Sequence, residues 1–101
     1  MPQSYTVHIR PRLRRPGNIV FPNWLAITIG SRIWTWRGLD AGELAHELKH
    51  VDQWRTYGWT YPFRYWRSSL RAIRRGEDWY RDNEFEREAR QAAAEAAMER
   101  R

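Results

Sequence analysis

The chain has 101 residues, seven of them Trp and none Cys, which suits one small domain and excludes disulfide scaffolds, zinc ribbons and thiol catalysis. Eighteen basic residues against twelve acidic ones give a net charge of +6. All of that excess precedes the first acidic residue, Asp40, and no apolar run is long enough to span a membrane or to form the core of a leader peptide. The expectation is a single cytoplasmic domain, residues 1–101, with residues 1–37 β-rich and basic and residues 38–101 helical.

Tyr5, Val7 and Ile9 alternate with Thr6, His8 and Arg10, the period of a strand that Pro11 ends or places at an edge. Pro16-Gly17-Asn18 predicts a turn, and Ile19–Phe21 a second short strand. Leu25–Trp36 reads as one longer strand. Ile27, Ile29 and Ile33 then point one way, and Thr28, Gly30, Arg32, Trp34 and Trp36 the other. Gly30 fits a place where a second backbone comes close. The six arginines of this basic third suit nucleic acid, an acidic protein or anionic lipid; an ordinary solvated surface is the expected reading.

Asp40 and Glu43 have the spacing of a capping box. The helix they open runs to about Tyr57, with Gly58 to close it. Thr60 and Pro62 begin another helix, which Gly76 ends. Phe63, Trp66, Leu70 and Ile73 form its apolar stripe, beside Arg64, Arg67, Arg71, Arg74 and Arg75. Such a helix suits a membrane surface, but core packing is the expectation, because so short a chain has few other helices to build a core. A last, Ala-rich helix is predicted from about Glu77 or Asp78 toward Met98. Segregated strands and helices make the fold class α+β.

His46-Glu47-Leu48-Lys49-His50 is an HExxH sequence inside the first of these helices. Residues i and i+4 lie about 40° apart on a helix, so both imidazoles converge on one ion. Glu47, about 100° from His46, stands beside that ion as a base for water. Leu44, Leu48 and Val51 form a separate packing face, while Gln53 and Tyr57 share the histidines' face. A catalytic zinc needs a third protein ligand. Thr56 stands where a metzincin has its third His, which excludes that class. On the last helix Glu86 lies in line with Ala89, Ala93 and Ala97, whereas Glu84, Glu88 and Glu95 point the opposite way. A carboxylate buried among alanines needs a cation, so Glu86 is the expected third ligand; the alternative is a solvated pair with Arg90.

The run His46–Trp54, followed by Asn83-Glu84-Phe85-Glu86-Arg87-Glu88-Ala89, resembles the gluzincin zinc metallopeptidases, and among them the minigluzincins, over roughly residues 25–95. The resemblance implies a small N-terminal sheet, an active-site helix and, after the basic amphipathic helix, a C-terminal glutamate helix. It implies one Zn2+ per chain on His46, His50 and Glu86, with Glu47 as general base. Many gluzincins carry an acidic residue three or four positions after the ligand Glu to orient a zinc histidine. Those positions here are Ala89 and Arg90, so another group must serve, with Asp82 and Asp52 as candidates.

The expected chemistry is hydrolysis of a peptide or protein substrate. Zinc lowers the pKa of water toward about 7, and Glu47 carries the proton to the departing amine. A second donor to the oxyanion would be Tyr57, Tyr61, Tyr80 or an Arg. By resemblance the strand before the zinc helix pairs with extended substrate. Gly30, Trp34, Trp36 and Tyr57 are the candidate substrate contacts, with core packing the alternative for the two tryptophans. So short a chain has little material for a second lobe, which suits a latent enzyme that is inhibited by its own tail, Ala92–Arg101, or waits for a partner; the tail reads equally as the fraying end of a helix. The competing class is a non-catalytic zinc module whose basic third binds nucleic acid or an acidic protein. The sequence leaves the oligomeric state open.

Overall fold

The computed structural model describes residues 4–20 and 24–99. A three-stranded sheet, with a short helix between its first two strands, is followed along the chain by three longer helices, the expected α+β arrangement. The sheet contains β1 (Thr6–Ile9), β2 (Ala26–Ile29) and β3 (Arg32–Thr35), in the order β1-β3-β2. β1 runs parallel to β3 and β2 antiparallel to it.

Leu25–Trp36 is thus a hairpin, not one strand. Ile29 pairs with Arg32 across the two-residue turn Gly30-Ser31, and Gly30 takes φ +62°, which only a residue without a Cβ adopts cheaply. The turn resets the side-chain phase. Thr28 shares a face with Ile33 and Val7, whereas Ile27 shares the other face with Trp34 and His8. The three isoleucines therefore do not point one way. Ile33 and Thr35, both fully buried, lie on the face with Thr28.

A short helix, α1 (Arg14–Val20), occupies the segment where a turn and a second strand are expected. Pro16 lies in its first turn, where a missing N–H costs nothing. Gly17 packs under the Trp24 indole so closely that an added Cβ would fall 2.2 Å from the ring nitrogen. That nitrogen donates to the carbonyl of Arg14 at 3.0 Å. Ile19 belongs to this helix and is exposed; Phe21 lies outside the described residues. With Leu13, Ile27, Ile29 and Trp34, Gly17 and Trp24 line a cleft of about 250 Å³ on this side of the sheet.

α2 (Ala41–Tyr57) begins with the expected capping box. Glu43 N donates to Asp40 Oδ1 at 2.8 Å, and Asp40 N to Glu43 Oε1 at 3.0 Å. It ends at Gly58, φ +59°. A single 3-10 turn leads into α3 (Tyr61–Arg74). α4 (Glu84–Glu99) starts later than its composition suggests. Asp78 closes a separate turn by accepting from the backbone of Tyr80 and Arg81. Asn83, fully buried, is the residue that starts α4: its Oδ1 accepts from Phe85 N at 2.8 Å. Its amide donates to Tyr65 O and Ser69 Oγ, which fastens the first turn of α4 to α3.

α2 and α4 run antiparallel. Glu86 meets His46 and His50, and the Ala93 carbonyl comes to Gly42. Ala92–Glu99 continues α4 past the start of α2 and does not fold back over the histidines. Among the described residues no helix is long and apolar enough to cross a membrane.

Candidate metal centre

Three atoms from two helices converge. Glu86 Oε1 lies 3.2 Å from His46 Nε2 and 3.0 Å from His50 Nε2. The helical repeat places both imidazoles on one face of α2, and the Asn83 cap holds Glu86 opposite them. His50 and Glu86 are buried, His46 half-buried. Tetrahedral zinc bonds of about 2.0–2.1 Å set neighbouring donors roughly 3.3 Å apart, so the spacing and the N,N,O donor set fit zinc.

Gln53 fixes the His50 ring. Its amide nitrogen donates to Phe85 O and Glu88 Oε1, both at 3.0 Å. Its oxygen therefore faces His50 Nδ1 at 2.9 Å, and the Tyr61 hydroxyl donates to the same oxygen at 2.7 Å. Nδ1 must carry the proton, which leaves the Nε2 lone pair for a metal. The expected role of Asp82 or Asp52 passes to Gln53, which Glu88 in turn supports. Glu88 is exposed, yet its carboxylate reaches round to α2. Only the shared helical face hinted at this role for Gln53. Nothing in the sequence pattern pointed to Tyr65, whose hydroxyl donates to Glu86 Oε2 at 2.6 Å.

His46 Nε2 and His50 Nε2 both face Glu86 Oε1 at hydrogen-bond distance. Burial alone would push the Glu86 carboxyl up, but hydrogen bonds from His46 and His50 outweigh it and hold Glu86 far below the usual carboxylate range. Burial likewise works against the His50 cation, yet the hydrogen bond and charge of Glu86 raise its pKa. An imidazolium gives Gln53 one N–H and Glu86 the other. A metal bound by the three residues would take the place of that proton.

Glu47 stands beside the cluster, its Oε2 4.0 Å from His46 Nε2. Thr28 Oγ1, on the α2-facing side of β2, lies 3.0 Å from its Oε1. Burial raises the Glu47 pKa, with His50 and His46 pulling it down in part; a carboxylate so placed is a stronger base than a free one. The Tyr80 phenol is pushed up to about 12 by burial and by Glu86, so it stays a neutral donor.

The remaining candidates lie apart from this cluster. Trp34 is on the opposite face of the sheet from Thr28, stacked on His8 at 4.3 Å. Trp36 donates to Trp24 O at 2.7 Å, with the Arg14 guanidinium 4.5 Å from its ring centroid. Gly30 lies at the hairpin tip, lining a cleft of about 320 Å³ with Val51, Trp54 and Gly58. Tyr57 packs edge-on to Phe85 beneath Arg64. The structure thus brings His46, Glu47, His50 and Glu86 together and leaves the four substrate candidates outside.

Compared with protein-family models, curated proteins and solved structures, the chain has no significant match.

Proposed function

We propose that the chain is a zinc-dependent peptidase of gluzincin type, working in the cytoplasm on peptide or protein substrates. The observation that carries this reading is the convergence of His46 Nε2, His50 Nε2 and Glu86 Oε1, with the buried Glu47 at their side. A zinc ion on those three ligands supplies a Lewis acid for a scissile carbonyl and an acidified water. Glu47, held by Thr28, takes a proton from the attacking water and returns it to the leaving amine. Gln53 and Tyr65 keep His50 and Glu86 in place. Tyr80, protonated and half-exposed, is the candidate donor to the developing oxyanion.

β2 is an edge of the sheet, and Ala26 and Thr28 turn their backbone groups outward from the non-hydrogen-bonded positions of the hairpin. Trp54 Nε1 donates to the Thr28 carbonyl at 3.0 Å, so a substrate strand has Ala26 and the Thr28 N–H to pair with.

A second reading is a non-catalytic zinc module; the clefts at the hairpin tip and beside Trp24 are lined by none of the four cluster residues. Elemental analysis of the purified chain, with cleavage of a mixed fluorogenic peptide library before and after chelation, tests both. One zinc per chain with chelator-sensitive cleavage supports the peptidase. Zinc without cleavage supports the second reading, and no zinc after reconstitution overturns both.

A further inference from the structure

The apolar stripe of α3 does not enter the core. Trp59, in the turn before the helix, is 79% exposed, Phe63 66%, Trp66 64% and Ile73 55%. The helix is held instead by Tyr61, Ser68, Ser69 and Ala72, all buried. The core-packing expectation fails for a physical reason. The hydroxyls of Ser68 and Ser69 and the carbonyl of Tyr65 are needed by the α4 cap, so the polar side of α3 turns inward.

The helical repeat places Trp59, Phe63, Trp66, Leu70 and Ile73 within about 80° of circumference. Arg64, Arg67, Arg71, Arg74 and Arg75, all exposed, flank this stripe on one side. No acidic residue occurs from Gln53 to Gly76. Among the described residues no carboxylate lies within ion-pair distance of Arg67, Arg71, Arg74 or Arg75. An exposed stripe of Trp, Phe and Ile, with Leu70 half-buried among them and unpaired guanidiniums alongside, matches a flat surface that is apolar below and anionic above. We infer that α3 docks this protein onto the interface of anionic lipid bilayers, independently of the metal site. The aromatic and aliphatic side chains enter the acyl boundary, and the arginines reach up to the headgroups.

Two other occupants fit less well. A second copy would set the same unpaired arginines against each other across the contact. A nucleic acid stacks on aromatic faces, but Leu70 and Ile73 offer none, and the arginines lie along one side only.

The test is co-sedimentation of the full chain with vesicles of phosphatidylcholine alone or with about 30% phosphatidylserine. Each surface Arg near an anionic membrane is worth about 1 kcal/mol, so R67Q/R71Q should weaken binding to the anionic vesicles about 30-fold. F63S/W66S should reduce binding by at least about tenfold with unchanged circular dichroism, since both positions are exposed. Lipid nitroxides should quench tryptophan emission in the wild type and less in F63S/W66S. Equal binding to neutral and anionic vesicles, or none, overturns the proposal. So does stripe-dependent dimerisation in sedimentation velocity without vesicle binding, or tighter stripe-dependent binding to a single-stranded oligonucleotide than to vesicles.

Discussion

Gln53 Oε1 lies 2.9 Å from His50 Nδ1, and that contact decides which nitrogen of the ring faces Glu86. The glutamine is held from the far side by Phe85 O and Glu88, both on the helix that carries Glu86. One side chain of α2 thus references His50 to the helix that supplies the opposing carboxylate. Gln53→Ala removes that reference. Zinc affinity should fall 10- to 100-fold, the usual effect of losing a group that orients a metal histidine. Competition against a chromophoric chelator measures it; an unchanged affinity would show that packing alone aims the ring.

The three acidic residues at the start of α4 should separate in the same assay. Glu86→Gln should abolish tight binding, because it removes the anionic donor. Glu84→Gln should have no effect: the side chain is exposed and only its backbone N–H is used, by Ser68 Oγ at 3.0 Å. Glu88→Gln should give a small loss, since a neutral amide oxygen is a weaker acceptor for Gln53. A wheel argument from the sequence groups Glu88 with Glu84. The structure separates them because the Glu88 side chain curls back to α2. If Glu84→Gln were the damaging change, Glu86 would not be the ligand.

On the proposed reading protons and zinc compete for this cage. Glu86 holds His50 above its ordinary pKa of about 6.5, against the opposing effect of burial. In the metal-free chain the folded state binds that proton more tightly than the unfolded state. Its contribution to stability is therefore complete below the ordinary value and lost as pH rises through the raised one. Glu86 behaves oppositely. Its depressed pKa, set by the two histidines against burial, contributes above the ordinary carboxylate range and is lost only as pH falls through the lowered value. Zinc must displace the His50 proton. Apparent zinc affinity should climb as pH rises above the ordinary histidine value of about 6.5 and through the raised one, with proton release visible by calorimetry in buffers of different ionisation enthalpy. A flat profile would mean that the histidine is already neutral in the metal-free chain.

Much of this site could be read from the sequence, and the reasons are local. The capping box of Asp40 and Glu43, the i,i+4 pair His46 and His50, and Glu86 in line with Ala89 depend only on helical repeat. What the sequence concealed depends on tertiary choices. Gly30 looks like a weak point in a strand until its positive φ turns that strand into a hairpin and sends Trp34 to the face away from Thr28. Gly17 looks like part of a turn until the Trp24 indole needs its missing side chain. Phe63, Trp66 and Ile73 look like core because hydrophobic period says which residues share a face, not which face is buried. Here Asn83 settles that question, by recruiting Tyr65 and Ser69 of α3 to cap α4.

Glu47 carries the prediction that separates catalysis from metal binding. Its carboxylate stands outside the convergent trio, 4.0 Å from His46 Nε2 at the nearer oxygen. The other oxygen accepts from Thr28 Oγ1. Glu47→Gln keeps an acceptor oxygen for Thr28 and almost the same volume, so the fold and the zinc stoichiometry should be retained. Among the described residues it removes the one group beside the cluster that is both buried and placed to accept a proton from attacking water, a role worth about 10²- to 10⁴-fold in rate. Thr28→Val should act through the same carboxylate. Losing the hydroxyl takes away a hydrogen bond that favours the charged form, so the Glu47 pKa should rise and the acidic limb of the pH–rate profile should move upward with it. Equal zinc content in wild type and Glu47→Gln, with cleavage lost in the variant, makes Glu47 the base. Cleavage that survives the substitution would assign the proton transfer elsewhere. Zinc lost along with activity would mean that Glu47 is a ligand and that the trio of His46, His50 and Glu86 is incomplete.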